Sequence, residues 1–126
     1  ERAKEALAAV CRTTYIEGTR TEMEYIDVMH VFETTEEGLR LWDFLRETAG
    51  EAGLQPLGQA RLGGSSDAAY LTMAGVPTVC SCGTMGEWNH TVREYALADS
   101  LYARAKLFAG ALLRMDLFEN GAARSS

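Results

Sequence analysis

The hydrophobic period of this sequence switches back and forth between that of a helix and that of a strand, with glycines at most of the switches. Strands that alternate with helices imply a layered α/β architecture. Residues 2–16 place Leu7, Val10 and Cys11 on one side of a short amphipathic helix, with Arg2, Lys4, Glu5 and Arg12 on the other, and Gly18 stops it. Residues 19–32 then alternate. Met23, Tyr25 and Asp27 face one way and Glu22, Glu24 and Ile26 the other, the pattern of a half-exposed strand. A helix follows, capped by Thr34 or Thr35, with Glu36 and Glu37 at the positive end of its dipole. Its apolar stripe is Leu39, Trp42, Leu45 and Ala49, and Gly53 closes it.

A short strand is expected at 55–60. Gly63-Gly64 interrupts the chain, and Ser65, Ser66 or Asp67 caps a short helix over 67–74 that Gly75 ends. "VPTVCSCG" reads as a compact, buried strand, and a loop over 83–96 carries His90. The last helix is predicted over 97–117, starting at Asp99 or Ser100, with a stripe of Leu101, Ala105, Phe108, Leu112 and Met115. The aromatic and methionine positions Trp42, Phe44, Phe108 and Met115 are read as core, and "ENGAARSS" as a frayed tail. The weakest join, where a two-part division would fall, is at 29–35.

Composition narrows the partners. A net charge of −6 on 126 residues argues against nucleic acid or an anionic membrane surface. No apolar run reaches the roughly 18–20 residues of a membrane span, and no signal peptide is visible. The first residues, "ERAKEALAAVCR", lack a methionine and begin inside a helical pattern, so the chain reads as cut from something longer. Three cysteines do not make a disulfide framework. On a strand, Cys80 and Cys82 would share one side, roughly 6.6 Å apart, near the long end of disulfide spacing. Reduced thiols in a cytoplasmic protein are expected. A C-x-C pair also suits a metal, but no further Cys or His stands near it.

Two stretches carry chemistry. In "GGSSD", residues 63–67, paired glycines before a helix let backbone N–H groups approach an anion; the same residues also make a plain turn and cap. No lysine follows, so this is not a Walker loop, and no G-x-S-x-G elbow surrounds Ser65 or Ser66. A Cys80 or Cys82 nucleophile with His90 as base has no supporting motif. His90 either hydrogen-bonds within its loop or binds a metal. It lies just beyond a buried strand, where α/β sheets place their sites. Glu94, four residues on, is a carboxylate able to orient a ligating imidazole. The other histidine, His30, has no such setting.

The ordered series Gly63-Gly64-Ser65-Ser66-Asp67-Ala68, Gly75-Val76-Pro77-Thr78, Gly83, Gly86, His90, Glu94-Tyr95 and Asp99-Ser100-Leu101 resembles the C-terminal segment of the di-zinc exopeptidase and deacylase family. That family, the M-twenty zinc peptidases, includes acetylornithine deacetylase, succinyl-diaminopimelate desuccinylase, glutamate carboxypeptidase and aminoacylase. The resemblance implies an α/β fold class: residues 35–126 as the C-terminal part of a catalytic domain with helices packed on a β-sheet. Residues 1–34 would be the second half of an α+β lid and dimerisation domain. It implies that His90 is the last zinc ligand, that Gly64 and Ser65 help hold the carboxylate end of the substrate, and that Asp67 and Glu94 are structural or orienting residues. Two zinc ions, or cobalt or manganese in their place, would activate water to cleave small peptides or N-acyl amino acids. The remaining ligands and the catalytic glutamate match nothing in this chain, so the isolated chain is expected to be inactive. A homodimer through the lid is implied for the parent. Ala69 departs from the family, where many members carry Asn, and "CSCGTMGEWN" departs from its commoner glycine-rich loop. The competing reading is a complete, non-enzymatic α/β domain that binds a partner or an anion at Gly63–Asp67.

Overall fold

The computed structural model describes residues 2–26 and 29–123. They form α1 (Arg2–Arg12), α2 (Glu36–Glu51), α3 (Ala68–Met73), β1 (Gly86–Glu87), β2 (Tyr95–Ala96), α4 (Ala98–Leu113) and α5 (Met115–Ala123). The mixture of helices and strand agrees with the α/β class, although its sheet is a single two-stranded antiparallel hairpin among the described residues. No helix described is long and apolar enough to cross a membrane.

The helix ends follow from local chemistry. Thr35 caps α2, its hydroxyl accepting the Gly38 N–H at 3.0 Å. At the other end Gly53 takes φ +65°, so that its N–H reaches the Gly50 carbonyl and the Leu54 N–H the Ala49 carbonyl. This paired 5→2 and 6→1 pattern satisfies carbonyls that a helix end leaves bare. Gly75, at φ +78°, closes α3 the same way: its N–H bonds Thr72 and that of Val76 bonds Leu71.

The core is the crossing of α2 and α4. Phe44, Leu45, Thr48 and Ala49 of α2 are buried against Leu107 and Ala111 of α4, with Leu57, Val79, Cys82 and Phe118 around them. The backbones come close because Gly110 faces Thr48: a Cβ at 110 would lie 3.1 Å from the Thr48 Cγ2. Two cations strap the crossing. Lys106 Nζ donates to the carbonyl of Ala52 at 2.6 Å, neutralising the negative end of α2. Arg114 donates to Thr48 Oγ1 at 3.3 Å and pairs with Glu51.

Several sequence expectations are corrected here. The strands expected at 19–32, 55–60 and 76–83 form no ladder among the described residues. Alternation decides which face a strand shows, but a strand exists only beside a partner for its N–H and C=O groups. Ile26, in the first of these segments, stays 91% exposed; Asp27 lies outside the described residues. In "VPTVCSCG" Ser81 takes φ +60°, which breaks the two-residue period, so Cys80 is exposed while Cys82 turns toward the core. All three cysteines are free thiols. The first helix ends at Arg12 rather than residue 16 and buries none of its residues, Leu7 and Val10 included. The last helix is divided at Arg114, whose side chain turns back to α2, and α5 continues through much of the segment expected to fray.

The stripe of α4 is also shifted. Leu101, Ala105, Phe108 and Leu112 are exposed and Met115 is half-buried, while Ser100, Leu107 and Ala111 face inward. Apolar residues occur almost all round this helix, so the pattern could not choose a face; the inward one is the face on which Gly110 approaches Thr48. On α2, Leu45 and Ala49 are buried as expected and Trp42 is half-buried, but Leu39 is exposed. Of the aromatic core candidates, Phe44 is buried and packs at a tilt against Phe118, ring centroids 5.5 Å apart.

Candidate functional site

His90 is held at the tip of a hairpin. β1 and β2 pair Gly86 with Ala96 and Glu87 with Tyr95, enclosing residues 88–94. Gly86 permits this pairing, since a Cβ there would overlap the carbonyl oxygen of Tyr95. The root is pinned to α4. The Leu97 N–H donates to the Met85 carbonyl at 2.8 Å, and the Met85 N–H donates to Ser100 Oγ at 2.9 Å. Ser100 therefore ties the hairpin down from inside the first turn of α4, whose N-cap is Leu97 rather than Asp99 or Ser100.

Inside the loop, Trp88 and His90 both take the left-handed conformation, at φ +63° and +64°. For residues with a side chain this costs about 1–2 kcal/mol each, and such strain gathers at functional sites. Local bonds hold it. The backbone and hydroxyl of Thr91 both donate to the Trp88 carbonyl, at 3.1 and 2.7 Å, and the Glu94 N–H donates to the Thr91 carbonyl. The Arg93 N–H reaches the Thr91 hydroxyl, and the Arg93 guanidinium lies 4.2 Å over the Trp88 ring. Glu94 Oε2 accepts the backbone N–H of His90 at 3.1 Å. The carboxylate thus fixes the peptide of His90 and leaves the imidazole exposed.

The Gly63–Asp67 loop is a second place. Gly63, Gly64 and Ser65 are exposed, and a Cβ on either glycine would meet nothing within 4 Å. Of the three cap candidates, Ser66 acts: its hydroxyl accepts the Ala68 N–H at 3.2 Å. Asp67 occupies the N-cap position with no side-chain bond, and its backbone carbonyl accepts from Tyr70. Ala69, the position departing from the family pattern, is buried.

Ser66 Oγ also lies 3.1 Å from Cys80 Sγ, a contact that no spacing in the sequence announces. Hydrogen bonding from Ser66 holds the Cys80 thiol below its usual range; slight burial opposes this, and Ser81 adds to the lowering. Burial pushes Cys82 up, partly offset by the Arg104 charge, with the neighbouring Cys80 adding to the rise. Both cysteines line a cleft of about 630 Å³ between α2, the 54–58 segment and the start of α4, walled by Leu45, Leu54, Val79 and Leu107. Neither His90 nor Gly64 and Ser65 border it.

The donor set decides what the hairpin can do with a metal. A catalytic zinc takes three protein ligands, and among the described residues no three His, Cys, Asp or Glu side chains gather. His90 supplies one exposed imidazole, so these residues do not by themselves fit a metal centre.

No curated protein and no solved structure matches the chain. The model of a family described as "Peptidase family M20/M25/M40" matches residues 3–114, from α1 to the end of α4. The hairpin, the Gly-Gly-Ser-Ser-Asp loop and both core helices all fall within that match, and the chain belongs to this peptidase family.

Proposed function

We propose that the chain serves in a metal-dependent amidohydrolase or exopeptidase that cleaves small peptides or N-acyl amino acids, as acetylornithine deacetylase, succinyl-diaminopimelate desuccinylase, glutamate carboxypeptidase and aminoacylase do. The family match supports a hydrolase. The observation that carries the site is the hairpin itself: the one histidine of the matched motif is presented with its imidazole exposed, by a strained loop that Glu94 clamps through the backbone. In this reading His90 would give one ligand to divalent ions, zinc or else cobalt or manganese, whose chemistry would be to activate a water for attack on the amide.

Gly64 and Ser65, exposed beside α3, would meet the carboxylate end of the substrate. Ser66 shapes their loop, with Asp67 beside it. No residue of the chain is assigned the general base. Residues 1–34 would belong to a lid that forms a homodimer, and residues 35–126 to the catalytic domain. The free thiols fit a cytoplasmic enzyme.

The test is His90→Ala in the full-length protein. Bound zinc and hydrolysis of N-acyl amino acids should both fall at least tenfold, with the fold retained by circular dichroism. Unchanged metal content would refute the ligand role. Hydrolysis by the purified 126-residue chain alone would refute its assignment as one part of a divided site.

A further inference from the structure

Cys80 and Cys82 do not lie on a strand. The residue between them, Ser81, is left-handed at φ +60°. Such a residue draws its flanking Cα atoms in from the roughly 6.6 Å of a strand toward the roughly 5.5–6 Å typical of disulfides. The Cys82 thiol lies back over the same peptide, 3.8 Å from the Cys80 carbonyl oxygen. Cys80 is exposed, with the Ser66 hydroxyl in hydrogen-bond contact at 3.1 Å and the Ser81 hydroxyl donating to it at 3.7 Å, whereas Cys82 is half-buried against the core. Both border the same cleft, which gives a small oxidant its approach.

We propose that Cys80 and Cys82 form a vicinal dithiol that closes to a disulfide when a peroxide oxidises Cys80. The Cys80 thiolate attacks one peroxide oxygen, the O–O bond breaks, and hydroxide leaves, giving a sulfenic acid on Cys80. The Cys82 sulfur then attacks that sulfur, the S–S bond forms, and the hydroxyl leaves as water with the Cys82 proton. Two thiols are oxidised by two electrons in all, and one hydrogen peroxide is reduced to two waters. The hydroxyls on Cys80 favour its thiolate and burial disfavours that of Cys82, which sets the order of attack. Closure also removes the thiolate that Ser66 donates to, so the Gly63–Asp67 loop loses its tie to the Cys80 segment.

Trypsin releases both cysteines in one peptide, Leu62–Arg93. The full-length protein is treated with one equivalent of hydrogen peroxide, quenched with iodoacetamide and mapped by mass spectrometry. The expected result is loss of two hydrogens from this peptide, with no alkylation at either cysteine, while Cys11 remains alkylatable. Cys82→Ser should stop at a Cys80 sulfenic acid that dimedone traps, and Cys80→Ser should leave Cys82 unoxidised. Ser66→Ala should slow oxidation severalfold and Ser66→Thr restore it. Oxidation of Cys11 ahead of the pair, or alkylation of Cys80 and Cys82 after peroxide treatment, would overturn the proposal even if every variant misfolds. Zinc binding by His90 has no part in the readout.

Discussion

Replacing Gly86 by alanine tests whether the hairpin is what holds His90. The added Cβ would overlap the Tyr95 carbonyl oxygen and sit 3.1 Å from its carbon and 3.2 Å from the Cα of Ala96. All three are backbone atoms of the opposite strand, so no side-chain rotation relieves the clash. Forcing a methyl into a packed position costs about 1–3 kcal/mol. The hairpin can instead open, forfeiting bonds worth about 0.5–1.5 kcal/mol each. Either route gives a local penalty of about 2 kcal/mol, which raises the open population about 30-fold. Hydrogen exchange reads this directly at two amides, Leu97, bonded to the Met85 carbonyl, and Met85, bonded to Ser100 Oγ. Their protection should fall about 30-fold on that conversion, while amides within α2 keep theirs. Gly64→Ala, where nothing lies within 4 Å of the new Cβ, should change stability by less than about 0.5 kcal/mol. Unaltered protection at Leu97 and Met85 in Gly86→Ala would refute the reasoning.

Two further outcomes are expected. Leu107, 1% exposed at the centre of the helix crossing, should cost about 2–5 kcal/mol on truncation to alanine, measured by denaturant unfolding. The rate of alkylation against pH should separate the two neighbouring thiols. A lowered pKa leaves more thiolate at neutral pH, so Cys80 should reach half its maximal rate below the ordinary thiol value and Cys82 above it, with iodoacetamide and peptide mapping as the measurement.

What the sequence discloses is mostly punctuation. Thr35, Gly53 and Gly75 announce helix ends because each acts on atoms within a few residues of itself, and the structure uses all three as caps. Strands are different. The alternation at 19–32 is genuine, yet pairing depends on a neighbour that no local pattern contains. The inward face of α4 was likewise decided elsewhere, where Gly110 closely approaches Thr48 and Leu107 and Ala111 are buried. At the candidate site the residue types and spacing were legible. The left-handed turns at Trp88 and His90 were not, because positive φ is uncommon for any residue but glycine. Glu94 was expected to orient the imidazole or to serve structurally, and its bond is to the backbone N–H of His90. Spacing sets which residues meet, but not which atoms.

Every bond described in the His90 loop runs between residues of the hairpin itself or to the first turn of α4. The loop's backbone order is therefore set when the chain folds, before anything binds. An ion or substrate arriving at the imidazole would have little backbone freedom left to quench. The ordering part of the association penalty would then fall largely on the two torsions of one side chain, which favours affinity through a holder that needs no remodelling.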